Sequence, residues 1–259
     1  MDVLLIGCGK MGGAMLRRWL ERTEHNFTIV DPVADETPDN AELLRSEGEL
    51  GDRSFDMVIV AIKPQMVDTV LPDYAKHLNK DGCAVSIAAG CSMARISKLL
   101  GDAPTVRVMP NLPALIGLGA TGLFAGDSVS EGHRAQVTKL IDYVGESFWV
   151  SSEDELDRLT AVSGSGPGYV FQFMQSYIEA AEELGFSKDT ARALVTQTII
   201  GAAKMASQSD STVVDLRNSV TSKKGTTEAG LNALNKGGAL DTLLKQTTGA
   251  AYSRALELQ

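Results

Sequence analysis

Residues 3–20 read "VLLIGCGKMGGAMLRRWL". An apolar run, Val3 to Ile6, stops at a glycine turn and passes into a segment whose Met15, Leu16, Trp19 and Leu20 recur at helical spacing. Strand, turn and helix in that order place Gly7, Gly9 and Gly12 in G-x-G-x-x-G spacing. The first glycine permits the tight turn, the second admits a pyrophosphate to the backbone, and the third allows close helix–strand packing. The helix start at Lys10 and Met11 then offers free N–H groups and the positive end of a dipole to the phosphates.

Glycines also mark ordinary turns, so the motif depends on its surroundings. "FTIVDP" follows as a second apolar strand ending at Asp31, roughly 20 residues on, where a carboxylate can accept hydrogen bonds from the adenosine ribose. The plainer role for Asp31 is to cap a turn with Pro32. No Arg or Lys lies between Asp31 and Asp39, which favours NADH over NADPH.

The alternation continues with "MVIVAI" (57–62), "CAVSIA" (83–88) and "TVRVM" (105–109), near-continuous apolar runs suited to a sheet covered on both faces. "PQMVDTVLPDYAKHL" and "SMARISKLLG" separate them with helical periodicity, and "ATGLFAG" and "SFWV" read as further strands around a helix near 131–145. The expected fold is α/β, a Rossmann-type dinucleotide-binding domain over 1–152. Ala61, Lys63 and Pro64 fall at a strand's carboxyl end, where ligands bind in such sheets. Asn111, wedged between Pro110 and Pro113, reads either as part of a rigid turn or as a preset wall beside the nicotinamide with its amide available.

From Glu153 the strand signals vanish, and 153–259 reads as a bundle of about five helices. Pro167 suits a first helical turn, Gly185 a stop, and Ser187 an N-cap. The stripe Val170, Phe171, Met174, Tyr177, Ile178 and Ala181 reads as core, and Gly201 as the site of a close helix crossing. Such long apolar faces are hard to bury within one subunit, so self-association is expected.

Composition bounds the partners. The 259 residues are 44% apolar and 22% charged with a net charge of −9, ordinary for a globular protein and unsuited to tracking nucleic-acid phosphates. No apolar stretch approaches the roughly 18 residues of a membrane span, and the amino-terminal segment lacks the pattern of a signal peptide, so a cytoplasmic location and no membrane partner are expected. Cys8, Cys83 and Cys91 have no CxxC spacing and His25, His77 and His133 are scattered, so no metal site is expected.

The stretches "IGCGKMGGAM", "VIVAIKPQ", "SIAAGCSMARI", "VRVMPNLPALIGLGATGL", "DELDRLTAVSGSGPGYVF", "IIGAAKMA" and "VTSKKGTTEAGLNAL" together resemble the pyrroline-5-carboxylate reductase family, in the family's order. That resemblance implies a Rossmann domain, a helical dimerisation domain, an active site between them, and often larger assemblies of dimers. It implies NAD(P)H-dependent reduction of a cyclic imine carboxylate to L-proline. It places Thr227 where the family's substrate-contacting threonine lies, with Val220, Gly225 and Thr226 beside it as substrate-binding residues. Backbone N–H groups of a Gly-Thr-Thr turn opening a helix suit a carboxylate; alternatively Thr226 or Thr227 is only an N-cap. Ser163 joins Thr227 as a catalytic candidate, or merely starts a helix.

One departure stands out. The family usually has Ser-Pro-Gly-Gly-Thr-Thr where this chain has Ser222, Lys223, Lys224, Gly225, Thr226 and Thr227. Surface lysines usually face water, and the expectation is that they point outward. The altered loop leaves two other readings, a related ketimine-acid reductase and a non-catalytic dinucleotide-binding regulator. A β-hydroxyacid dehydrogenase fits poorly, since Val170 and Met174 stand where that family has its catalytic lysine and asparagine.

Overall fold

The computed structural model describes residues 1–36 and 40–258. Asp39, the end of the cation-free stretch after Asp31, therefore lies outside the described residues. The chain divides into two compact units, one of residues 1–167 with 251–259 and one of residues 168–250.

The first unit is built on an eight-stranded sheet. Its strands are β1 (Asp2–Ile6), β2 (Asn26–Val30), β3 (Ala41–Leu44), β4 (Phe55–Val60), β5 (Leu78–Ser86), β6 (Thr105–Met109), β7 (Gly119–Ala125) and β8 (Gly145–Trp149), in the order β3-β2-β1-β4-β5-β6-β7-β8. The first six follow the doubly wound 3-2-1-4-5-6 arrangement and pair in parallel. β7 returns antiparallel to β6 and pairs in parallel with β8. Alternation along β1 explains why both faces must be covered: Val3 and Leu5 join one buried cluster with Trp19 and Leu140, while Leu4 and Ile6 join another with Val67 and Ile96.

The helices of this unit are α1 (Lys10–Arg22), α2 (Val67–Val70), α3 (Met93–Leu99), α4 (Glu131–Asp142) and α5 (Glu153–Leu159). The expected 64–78 helix is mostly 3-10, with only one α-turn at α2, because Pro64 and Pro72 interrupt its backbone hydrogen bonding. β4 ends two residues before the apolar run does, which puts Ala61 and Ile62 in the turn beyond the sheet. β3 and α5 have no counterpart in the sequence reading.

The second unit is helical. It contains most of α6 (Gly166–Glu183), all of α7 (Lys188–Gln208), α8 (Val213–Ser219) and α9 (Thr226–Leu234), and the start of α10 (Ala239–Glu257). Gly185 adopts φ +98 after α6, and the Ser187 side chain caps α7 by accepting from the Thr190 N–H. Its buried cluster holds only Ala181, Ala191 and Val195. Only the carboxyl-terminal end of the α6 stripe is core within this chain: Ala181 is buried and Ile178 packs against the cluster, whereas Val170, Phe171 and Tyr177 are exposed. Gly201 meets no close crossing, since a Cβ built there has no neighbour within 4 Å. Among the described residues, no helix is long and apolar enough to cross a membrane, and no group of three or more His, Cys, Asp or Glu could hold a metal.

Candidate active site

The glycine turn is shaped by close packing. Gly7 has φ +91, and a Cβ there would lie 2.8 Å from the Ala61 carbonyl oxygen; a Cβ on Gly12 would lie 2.9 Å from the Gly7 carbonyl oxygen. Any side chain at either position would push β1, α1 and the end of β4 apart. At Gly9, by contrast, a Cβ would meet nothing within 4 Å. The close packing thus runs inward while the middle glycine stays open, the shape of a cradle for a phosphate.

Gly9 is also the N-cap of α1, and no side chain caps that helix. Its first-turn N–H groups and positive dipole end face a cleft of about 420 Å³ lined by Cys8, Gly9, Lys10, Met11, Gly13, Arg17, Glu36, Leu112 and Leu115. Two cations in that lining, Lys10 and Arg17, suit a pyrophosphate. Burial first, and the charge of Asp31 second, push the Cys8 thiol up from its usual range, so it stays neutral. The residues present thus fit the diphosphate of a dinucleotide.

Asp31 is placed differently from the ribose reading. It is 7% exposed and does not line the cleft. One carboxylate oxygen accepts from the Cys8 N–H at 2.6 Å, and the other from the N–H groups of Val33 (2.8 Å) and Ala34 (3.0 Å). It ties the glycine turn to the end of β2 and closes the turn after it, as the plainer reading has it. Arg45 at the end of β3 donates to the Asp31 and Ala34 carbonyls and clamps the same loop.

Asn111 is also committed. Its amide donates to the Ser163 carbonyl at 3.0 Å, and its carbonyl accepts from the Ala120 N–H at 3.0 Å. One N–H and one carbonyl lone pair of this buried amide are engaged within the fold, so the residue serves as a rigid tie. What it ties is unusual: Thr160–Gly164 form a single π-turn, closed by Ser165 N–H to the Thr160 carbonyl at 2.9 Å. The Ser163 hydroxyl in that turn donates to the Leu159 carbonyl at 3.2 Å. Lys63 is exposed, and it forms the N-cap of the short 3-10 turn that Pro64 opens. Ala61, Lys63 and Pro64 do not line the cleft.

In the second unit, the turn at 222–225 is closed by Gly225 N–H to the Ser222 carbonyl at 2.9 Å. Lys223 and Lys224 are both exposed, as expected, and Lys224 occupies the left-handed region at φ +61. Gly225 is the N-cap of α9 and no side chain caps it, so neither threonine serves as N-cap. Thr226 and Thr227 are instead the first two residues of the helix, with the Thr227 side chain half-buried. The Glu228 carboxylate folds back to accept from the Lys224 N–H at 2.7 Å. Val220, at the end of α8, is exposed. The unit thus offers a helix start with free N–H groups and adjacent hydroxyls, a recipient for a carboxylate.

Sequence reading missed Cys8, Gly13, Arg17, Glu36, Leu112 and Leu115 as cleft residues. Arg17 could have been found two turns beyond Lys10 on the same helix face. Glu36 had no local signal.

Comparison with known proteins agrees with this arrangement. A family model described as pyrroline-5-carboxylate reductase dimerisation matches residues 153–258, and one described as NADP oxidoreductase coenzyme F420-dependent matches 2–90. A pyrroline-5-carboxylate reductase of Pseudomonas aeruginosa is 42% identical over 204 residues, covering 78% of this chain and 74% of that protein. One of Haemophilus influenzae is 34% identical over 264 residues, covering 99% and 97%. Among solved structures, a pyrroline-5-carboxylate reductase of Coxiella burnetii superposes with a TM-score of 0.92 at 34% identity, covering 99% of this chain and 98% of the other. A Plasmodium falciparum pyrroline carboxylate reductase with NADP bound superposes at 0.87 with 26% identity, covering 100% and 98%. With the glycine cradle in the first unit, the bare Gly-Thr-Thr helix start in the second, and relatives of this identity along nearly the whole chain, the protein belongs to the pyrroline-5-carboxylate reductase family.

Proposed function

We propose that this chain reduces the C=N bond of 1-pyrroline-5-carboxylate to L-proline, with NADH preferred over NADPH. The observation that carries the substrate half is the uncapped start of α9 at Gly225, Thr226 and Thr227. Bound NADH or NADPH would supply the hydride that adds to the imine carbon. Gly7 and Gly12 shape the turn, while Gly9, Lys10 and Met11 hold the pyrophosphate by backbone N–H groups and one ammonium. Ala61, Lys63 and Pro64, at the carboxyl end of β4 and outside the diphosphate cleft, would border the coenzyme beyond its diphosphate, and Asn111 keeps its own loop rigid.

The substrate carboxylate is received by the N–H groups of Thr226 and Thr227, while the Gly225 N–H closes the turn onto the Ser222 carbonyl and the exposed Val220 offers an apolar surface to the ring. Hydride addition leaves an electron pair on nitrogen, so the protonated iminium is the better acceptor. The Thr227 hydroxyl accepts from the iminium N–H and so holds the proton at that nitrogen. No general base is needed, which suits a site whose adjacent carboxylate, Glu228, is turned to the Lys224 N–H.

The unburied apolar faces of α6 and α7 argue that the working species is a homodimer, and dimers of this kind could stack into a larger assembly. Three free thiols suit the reducing cytoplasm.

Thr227→Ala is expected to lower kcat/KM for the imine tenfold or more, about 1.4 kcal/mol, without weakening NADH binding, and Thr227→Ser to restore most of it. Steady-state kinetics with both variants decides the point. An unchanged rate in Thr227→Ala would remove the threonine from the mechanism.

A further inference from the structure

We infer that Glu36, not Asp31, is the residue by which this chain discriminates against the dinucleotide carrying a 2′-phosphate. The inference rests on the coenzyme reading above and assigns a residue within that site.

Asp31 is spent. Both of its oxygens accept backbone N–H groups from Cys8, Val33 and Ala34, it is 7% exposed, and it does not line the cleft. Its charge is directed into the fold, and removing it would loosen the glycine turn for either dinucleotide.

Glu36 is exposed and lines the cleft with Lys10, Arg17 and the open backbone of Gly9. Its loop is anchored on both sides of Pro32: the Asp31 carboxylate holds Val33 and Ala34, and the Arg45 guanidinium holds the Asp31 and Ala34 carbonyls. Arg45 is the cation that β3 brings to this loop, and it is engaged on backbone oxygens. The charge pattern follows the chemistry of a dinucleotide. Cations and helix N–H groups meet the pyrophosphate, while a carboxylate on the loop after β2 meets the adenosine ribose. A carboxylate accepts from a 2′-hydroxyl and repels a 2′-phosphate.

Fluorescence titration of the full chain with NADH and with NADPH, alongside initial rates, tests this in wild type, Glu36→Gln, Glu36→Lys and Asp31→Asn. Wild type should bind NADH more tightly. Glu36→Gln should shift the ratio of the two Kd values toward NADPH by tenfold or more, mainly by tightening NADPH, and Glu36→Lys should shift it further. Asp31→Asn should weaken both dinucleotides alike and lower the melting temperature. A wild-type preference for NADPH, or a ratio unmoved in both Glu36 variants, overturns the inference. A ratio that moves only in Asp31→Asn does the same, and if that variant does not fold the two Glu36 variants suffice. The reductase reading fails separately: both dinucleotides would bind with the expected ratio, yet no oxidation would follow addition of the imine.

Discussion

Lys224 holds φ +61, a conformation that costs a residue with a Cβ about 1–2 kcal/mol relative to its ordinary backbone. The turn nevertheless closes, through Gly225 N–H to the Ser222 carbonyl, and Glu228 reaches back to the Lys224 N–H. The family resemblance places a glycine at this position, which would adopt the same φ without that cost but loses more freedom on folding, about 0.5–1 kcal/mol. Lys224→Gly is therefore expected to stabilise the protein by about 0.5–1 kcal/mol, visible as a higher denaturation midpoint. A lower midpoint would mean that the lysine side chain contributes something the turn geometry does not reveal. Lys-Lys in place of Pro-Gly puts a strained residue in a turn that still closes through the Gly225 N–H. At the same scale, Gly7 and Gly12 were legible in the sequence because their demand is local and set by spacing. Asp31 was not, because a carboxylate closing its own turn and one facing a ribose share the same sequence. Only the three N–H groups aimed at it tell them apart. Asn111 follows the same rule: two prolines announce its rigidity, but its partners, Ser163 and Ala120, lie elsewhere in the chain.

Elements were legible where their period was clean. The strands of the parallel sheet and the long helices α1, α6 and α7 follow from apolar runs and helical spacing. β3 reads "AELL", too short and too polar to announce a strand, and forms because the edge of β2 offers Phe27 to Val30 as a template. The antiparallel turn of β7 against β6 depends on the loop through Asn111 to Gly117 rather than on any pattern inside the strands. The π-turn at 160–164 is likewise invisible in composition, since its extra residue is accommodated by the bonds that Ser165 and Asn111 make. The faces of α6 and α7 are the element-scale feature with the largest consequence. Phe171 on α6 is 55% exposed, and Leu194 and Ile200 on α7 are exposed too. Fully covering a Phe side chain contributes about 1.5–3 kcal/mol, so several such residues per subunit can hold two subunits together. Phe171→Asp is expected to convert the dimer to a monomer in light scattering at micromolar concentration, with the wild type at the dimer mass or a multiple of it. A wild-type monomer would refute the proposed use of these faces.

At the scale of the whole molecule, one unit supplies a cradle with an uncapped helix start for a diphosphate, and the other an uncapped helix start for a carboxylate. Neither relies on a histidine, a metal cluster or a reactive thiol; burial pushes the Cys83 thiol up to about 12. Such a protein is suited to hydride addition to a substrate already activated by its own proton, where positioning does most of the work. The division into sheet and helical parts, and the resemblance that named the chemistry, could be read from the sequence alone. The committed partners of Asp31 and Asn111 and the placement of Glu36 could not, because each is made by chain segments that meet only on folding. The most direct measurement is the initial rate of NADH oxidation by the full chain with 1-pyrroline-5-carboxylate, with the product identified as proline. The account predicts imine-dependent oxidation with stoichiometric L-proline, and slower turnover with NADPH. NADH that binds but is not oxidised when the imine is added would contradict it.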